Sequence, residues 1–114
     1  MAHNEYYTYK ESPINGDIMM SVQVFDIIAK EVINEDKDVS LDTSKGFSIN
    51  GSKRLVNARI DDNNVTITLH IKVKYGVKVT RKVKDLQKAI AAAVKDMCNV
   101  DVKSIDINVE SIEF

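Results

Sequence analysis

The chain has 114 residues, of which 44% are hydrophobic and 29% are charged, and its formal net charge is −1. A chain of this length forms one domain around one core. No apolar run approaches the roughly 18 residues of a membrane-spanning helix, and the start of the chain lacks the apolar centre of a secretory signal. The single cysteine, Cys98, excludes an internal disulfide and favours a buried thiol in a reducing compartment. We therefore expect a cytoplasmic protein.

Charge is distributed unevenly along the chain. Seven bases and one acid fall between Lys72 and Lys88, a local balance of +6. Acids prevail between Asp26 and Asp42 and again after Lys95, with a balance of −4 in each stretch. Such a pattern bears on partners and association rather than on the fold. The sequence therefore predicts a molecule that is electrically polar although it is nearly neutral.

The first elements follow a segment without a clear period. Residues 1–13 are polar and aromatic, and we predict a flexible N-terminal arm over them, followed by a single domain over 14–114. Asp17–Met20 is a predicted short strand, and Ser21 is a good N-cap for a helix. The apolar residues of that helix recur on one face, at Val22, Phe25, Ile28, Ala29 and Val32.

Two further apolar residues of this helix, Val24 and Ile27, lie beside the main apolar face. Two interpretations stay open for them: they pack under the arm, or they contact another molecule. The acidic run Glu35–Asp38 is expected to end the helix.

The middle of the chain predicts strands separated by reversals. Val39–Leu41 is a short candidate strand, and Asn50-Gly51 favours a two-residue hairpin, because both residues tolerate positive φ. The alternation over Val56–Ile60 indicates a further strand, and Asp61–Asn64 is the next reversal.

The clearest pattern begins at Val65. Apolar and polar residues alternate strictly from Val65 to Tyr75, which predicts a long strand with one buried face, Tyr75 included, and one solvated face. Gly76 ends this strand. The solvated face carries Thr66, Thr68, His70, Lys72 and Lys74.

A second helix and a last strand complete the pattern. Thr80 is a candidate N-cap, and Asn99 is a candidate left-handed stop. The predicted buried face of the helix consists of Val83, Leu86, Ile90, Ala93, Val94 and Met97. The final alternation places Ile105, Ile107 and Val109 on one face of a strand.

The predicted element order is β-α-β-β-β-α-β. It indicates an α+β fold: a single two-layer domain, with a mixed sheet of about four to five strands and two helices on one face. We expect the strand after the second helix to pair parallel with an earlier strand through a right-handed crossover.

Residues with chemical potential are few. His3 and His70 belong to no metal-binding spacing, and the turn Asp61–Asn64 lacks the glycine and terminal glutamate of a calcium loop. No phosphate-binding glycine loop and no nucleophile elbow occurs. We therefore predict a non-enzymatic protein with no catalytic residue, no cofactor and no metal.

The positive signal is basic. Four bases share one stripe of the second helix, apart from its apolar face. The candidate partner-binding patch consists of Lys72, Lys74, Lys78, Arg81, Lys84, Lys88 and Lys95. Its partner would be nucleic acid phosphates, anionic lipid headgroups or an acidic surface of another copy; a solvated helix face without a partner is the further interpretation.

Five segments, taken in order, carry a family resemblance. They are a glycine and short strand at Gly16–Met20, a Ser-x-x-Val helix start with Ile-Ala at Ser21–Val32, an alternating strand ending in Tyr-Gly at Val65–Gly76, a Val-x-x-Leu-Gln helix at Val83–Met97 and an alternating strand at Val100–Val109. In this order they resemble the alkaline shock protein family, the envelope stress response proteins of Gram-positive bacteria.

The resemblance implies a non-enzymatic scaffold or interaction module in cell envelope homeostasis. It implies a cytoplasmic protein, peripheral at the inner face of the membrane, without direct membrane insertion. Its implied partners are further copies of the chain, in a homo-oligomer, and a small membrane-anchor protein. If the basic stripe of one copy meets the acidic edge of the next, the contact is heterologous and propagates into rings or filaments. The alternative is a small RNA- or nucleic-acid-binding α+β module, although the GxxG loop of the KH type is absent.

Overall fold

The structure, a computed structural model, describes residues 3–10, 14–42 and 55–114. Its elements in chain order are β1 (His3–Asn4), β2 (Tyr6–Thr8), β3 (Met19–Ser21), α1 (Val22–Glu35), β4 (Val39–Leu41), β5 (Val56–Asp61), β6 (Asn64–Lys74), α2 (Val79–Cys98) and β7 (Ser104–Glu113). From β3 onward this is the predicted β-α-β-β-β-α-β order. The hairpin predicted at Asn50-Gly51 lies outside the described residues.

Strand β6 is the centre of a five-stranded mixed sheet. β5 pairs antiparallel with residues 64–69 of β6 and β4 with residues 71–73, whereas β7 pairs parallel with residues 66–74. Because β7 occupies one side of β6, β4 and β5 lie end to end along the other side. β1 adds to β5, and β2 pairs with β3 in a separate two-stranded sheet. The predicted parallel pairing of the last strand is confirmed.

The core lies between the sheet and the two helices, which confirms the predicted α+β fold. The alternating residues of β6 are fully buried, and each contributes about 1.5–3 kcal/mol by leaving water; they are Val65, Ile67, Leu69, Ile71 and Val73. The helices supply Phe25, Ala29 and Ile33 from α1 and Leu86, Ile90 and Val94 from α2. Beside this face of α1, Val24 is partly buried against the core, whereas Ile27 is exposed.

Two residues predicted to be buried are exposed. Tyr75 is 72% exposed because β6 ends at Lys74 and the chain turns away at Gly76, which has a φ of +94°. Met97 is also 72% exposed, because the buried face of α2 continues in steps of four residues to Cys98. Cys98 is buried, as the sequence predicted.

The helix ends agree with the sequence at three of four positions, and the first of these is the end of α1 at Glu35, within the predicted acidic run. Ser21 is the N-cap of α1 and its hydroxyl accepts a hydrogen bond from the backbone N–H of Gln23 at 3.3 Å. Asn99 ends α2 in the left-handed region, at φ 58° and ψ 39°. The prediction of Thr80 as an N-cap was wrong: α2 begins at Val79 after Lys78, so Thr80 lies inside the first turn.

Within the segment 1–13, where the sequence shows no clear period, the structure has two short strands, His3–Asn4 and Tyr6–Thr8. The backbone N–H of Thr8 donates to Asn63 Oδ1 at 2.8 Å, and the Asn63 amide donates back to the Thr8 carbonyl at 2.9 Å. The hydroxyl of Tyr9 donates to the backbone carbonyl of Cys98 at 2.6 Å. These partners are 55 and 89 residues away in sequence, so no local period could have indicated them.

Candidate interaction surface

Four of the predicted basic residues lie together on the N-terminal half of α2. Lys78, Arg81, Lys84 and Lys88 are exposed and line an open cleft of about 470 Å³, with Asp85 as the one acid among the lining residues. We call these four residues the basic cluster. None of them forms an ion pair with any part of the chain that the structure describes. The cluster therefore keeps its charge available to another molecule.

The other three residues of the predicted patch lie elsewhere. Lys72 and Lys74 belong to β6 and alternate with its buried residues, so their side chains leave the sheet on the face opposite the helices. Lys95 lies 17 residues beyond Lys78, about 25 Å along the helix axis. Its amine pairs with a carboxylate oxygen of Asp101 at 3.4 Å. The seven bases thus occupy several surfaces of the molecule.

Lys82 has a structural role that the sequence did not indicate. Its amine lies 3.1 Å from Oδ2 of Asp36 and 3.1 Å from Oδ2 of Asp38. The hydrogen bond to Asp36 is the main cause that raises the pKa of Lys82 above its ordinary value, and burial opposes it. The sequence feature that pointed to this role was the acidic run directly after α1, because closely spaced carboxylates need a cation from an element packed against them.

The acids between positions 26 and 42 are largely engaged within the domain. Asp26 Oδ1 accepts a hydrogen bond from the backbone N–H of Ala58 at 2.7 Å, which ties α1 to β5. Asp42 is only 1% exposed, and two more acids are bound by Lys82. Of the six, Glu31 and Glu35 remain exposed. This stretch therefore offers little free negative charge to the basic cluster of another copy, whereas Asp96 and Asp106 in the acidic stretch after Lys95 are exposed.

An exposed aromatic pair lies at the end of β6 and β7. The rings of Tyr75 and Phe114 stack with centroids 5.0 Å apart and an interplanar angle of 29°. Phe114 is 94% exposed. Lys74 and Glu113 complete the lining of an open pocket of about 560 Å³ beside the two rings. The backbone holds this arrangement, since the N–H of Tyr75 donates to the carbonyl of Glu113 at 2.8 Å.

On the sheet face opposite the helices, His70 is bound rather than free. Its Nδ1 lies 2.7 Å from Oε2 of Glu110, at the position where the register of β7 shifts. The backbone of His70 also holds both ends of the segment between β4 and β5: it accepts from Asp42 N–H at 3.0 Å and donates to the Leu55 carbonyl at 2.9 Å. No group of three or more His, Cys, Asp or Glu residues suited to a metal ion occurs among residues 3–10, 14–42 and 55–114.

Fold and surface together define a small α+β domain whose second helix carries exposed cations without an ion-pair partner among the described residues. The model of the alkaline shock protein 23 family, described as having a cell envelope-related function, matches residues 10–114. The chain therefore belongs to this family, as the order of its five segments predicted.

The chain is also similar to an uncharacterized protein of Streptococcus pyogenes serotype M6. The two are 26% identical over an alignment of 102 residues, which covers 85% of this chain and 79% of that protein. No solved structure matches the chain significantly. In the described parts of the chain, no helix is both long and apolar enough to cross a membrane.

Proposed function

We propose that this protein is a non-enzymatic interaction module of the cell envelope, acting as a scaffold at the cytoplasmic face of the membrane. Membership of a family with a cell envelope-related function supports the envelope assignment. The basic cluster carries the interaction role, because its four exposed cations surround an open cleft without an ion-pair partner in the described residues. The proposed partners are further copies of the chain and a small membrane-anchor protein.

Electrostatics supports docking over a merely solvated helix face. Lys78 and Arg81 are three residues apart, as are Arg81 and Lys84, and Lys84 and Lys88 are four apart. Like charges at these spacings destabilise a helix by about 0.2–0.5 kcal/mol per pair. Asp85, four residues after Arg81 and three before Lys88, offsets only part of this repulsion, and the acids that follow α1, Asp36 and Asp38, are already bound by Lys82. An anionic partner removes the repulsion, so the cluster favours binding at a small cost in stability.

The engaged state of the reactive side chains supports a non-enzymatic role. His70 is bound to Glu110, and Cys98 is buried, which raises the pKa of its thiol and makes it a poor nucleophile. Among the described residues, the two large open clefts are lined by lysines, an arginine and aromatic rings rather than by a base paired with a nucleophile.

A pull-down from native lysate, with a detergent step that releases membrane proteins, tests the proposal. The wild type is compared with Lys84→Glu/Lys88→Glu and with the control Lys30→Glu/Lys103→Glu, which makes the same charge change at exposed positions on α1 and before β7. We expect the wild type and the control to retain a small membrane protein that the cluster variant loses. Recovery of RNA or ribosomes instead would contradict the proposal.

Self-association is tested separately by sedimentation velocity from about 50 mM to about 500 mM salt, a range over which the screening length falls from about 14 to about 4 Å. We expect oligomers of the wild type at low salt. A monomer at every salt concentration would remove further copies of the chain from the proposed partners and leave the membrane-anchor protein.

A further inference from the structure

The aromatic pair and the basic cluster adjoin each other at one end of the molecule. Tyr75 precedes Lys78 by three residues, so their Cα atoms are at most about 11 Å apart. Lys74, which lines the pocket beside the rings, immediately precedes Tyr75. The exposed aromatic rings and the basic cluster therefore lie near each other at this end of the molecule, and the cluster extends along α2 to Lys88.

We propose that this end of the molecule binds the surface of an anionic phospholipid bilayer. The rings of Tyr75 and Phe114 enter the headgroup layer, and the basic cluster lies against the lipid phosphates. This inference rests on the proposed function, because it names the anionic surface that the basic cluster contacts. It differs from recruitment by an anchor protein alone, since the chain itself contacts lipid without inserting a helix.

The exposed rings favour a bilayer over a protein partner made only of charges. Aromatic side chains with one polar end are enriched at membrane interfaces, where apolar and hydrated layers meet. Peripheral binding combines buried apolar area with attraction of Lys and Arg to anionic lipids. Tyr75 and Phe114 supply the first contribution, and the adjoining cations supply the second.

The local charge balance fits an anionic surface. The basic cluster contributes four positive charges and Asp85 one negative charge, so the net charge of this part of the contact is +3. A second copy of the chain is a weaker candidate, since four of its six acids between positions 26 and 42 are already engaged or buried. The exposed acids after Lys95 are divided between elements, with Asp96 on α2 and Asp106 on β7. A bilayer is also wide enough to contact the whole basic cluster at once, whereas a small acidic patch on a protein contacts only part of it.

Co-sedimentation of the purified full chain with lipid vesicles tests the proposal. One set of vesicles contains about 30% phosphatidylglycerol in phosphatidylcholine, and the other contains phosphatidylcholine alone, both at about 50 mM salt. We expect binding to the anionic vesicles only. The variants Tyr75→Ser/Phe114→Ser and Lys78→Glu/Lys84→Glu should each weaken the partition coefficient by about tenfold or more.

Two controls match these variants in chemistry but not in place. Met97→Ser removes an equally exposed apolar side chain from the far end of α2, and Lys30→Glu/Lys103→Glu repeats the charge reversal away from the contact. Both should bind anionic vesicles like the wild type. Circular dichroism of every variant checks the fold, which these exposed positions should leave unchanged.

Two results would overturn the inference. The first is a wild type that sediments with neither set of vesicles. The second is an aromatic variant that binds anionic vesicles as well as the wild type does, because that result reduces the contact to nonspecific charge attraction. If either occurs while the lysate pull-down still recovers a membrane protein, the lipid contact fails and the proposed function stands. Loss of that protein from the pull-down removes the proposed function itself.

Discussion

The amine of Lys82 lies 3.1 Å from Oδ2 of Asp36, and this ion pair joins the first turn of α2 to the residue that ends α1. Oδ2 of Asp38, two residues further on, lies 3.1 Å from the same amine. The side chains of Lys82 and Asp36 are only 19% and 22% exposed, so solvent screens the pair less than an ion pair at the surface. The two helices of the domain are therefore held together by charge as well as by the core.

Replacement of Lys82 by Met should lower the free energy of unfolding by about 1–2 kcal/mol. This value lies between those of exposed and fully buried ion pairs, because the two carboxylates are left near each other without a cation. Urea denaturation followed by circular dichroism measures the change. Lys84→Met is the matched control and should leave stability unchanged or slightly raised, since Lys84 has no ion-pair partner among the described residues. Equal losses in both variants would contradict the prediction.

The contribution of Lys82 should also depend on pH at the alkaline end. Its pKa is raised above the ordinary value of 10.5, chiefly by the hydrogen bond to Asp36. A raised pKa means that the folded state holds the proton more tightly, so the stabilisation is complete below 10.5 and disappears as the pH rises through the folded-state value. The stability difference between wild type and Lys82→Met should be constant from about pH 7 to about 9.5 and should shrink above 10.5. A stability difference between the two proteins that grows above pH 10.5 would contradict a raised pKa of Lys82 in the folded state.

Periodicity was sufficient for the order of the elements from β3 to β7, although not for β1 and β2. The alternation from Val65 to Val73 and the helical period of α2 each match one structural face, because burial depends on which side of an element a residue occupies. The errors lie at the ends of elements. Tyr75 continues the alternation but falls beyond the last strand residue, and Met97 lies one position from Cys98, which takes the buried place.

The candidate site was predictable only in part. The sequence placed Arg81, Lys84, Lys88 and Lys95 on one stripe of the second helix. The structure brings the first three together with Lys78, whereas Lys95 lies further along the helix and pairs with Asp101. The sequence could not show that Lys82 binds the two acids that follow α1, Asp36 and Asp38, since that contact depends on how the helices pack. The stacking of Tyr75 on Phe114 was equally inaccessible, because it depends on the register in which β7 pairs with β6, and the alternation of each strand does not determine that register.

Removal of the Tyr9 hydroxyl should loosen the beginning of the chain. The hydroxyl donates to the backbone carbonyl of Cys98, at the end of α2, where helical carbonyls lack intrahelical partners. Tyr9→Phe should therefore reduce stability by about 1 kcal/mol. It should also speed hydrogen exchange at the backbone N–H of Thr8 and of Tyr9, which are bound to Asn63 Oδ1 and to the Ile18 carbonyl.

Tyr6→Phe is the control for this prediction, because Tyr6 lies on the adjacent strand β2 and its ring is half exposed. It should leave both stability and exchange unchanged. If Tyr9→Phe exchanges no faster than Tyr6→Phe, residues 6–9 are held by strand pairing alone and the bond to Cys98 contributes little.

The thiol of Cys98 should react slowly with iodoacetamide as long as the protein is folded. Burial raises the pKa of this thiol above its ordinary value, so less thiolate is present at pH 8, and the side chain is shielded from the reagent. The matched control is Met97→Cys in a Cys98→Ser background, which moves the only thiol to an exposed neighbouring position. Mass spectrometry should show that the folded control is alkylated at least about a hundredfold faster than the folded wild type, because Cys98 reacts only after local opening of the end of α2. In urea, where both proteins are unfolded, the two rates should be similar. Equal rates in the folded state would show that the end of α2 opens readily and that Cys98 is not a stable part of the core.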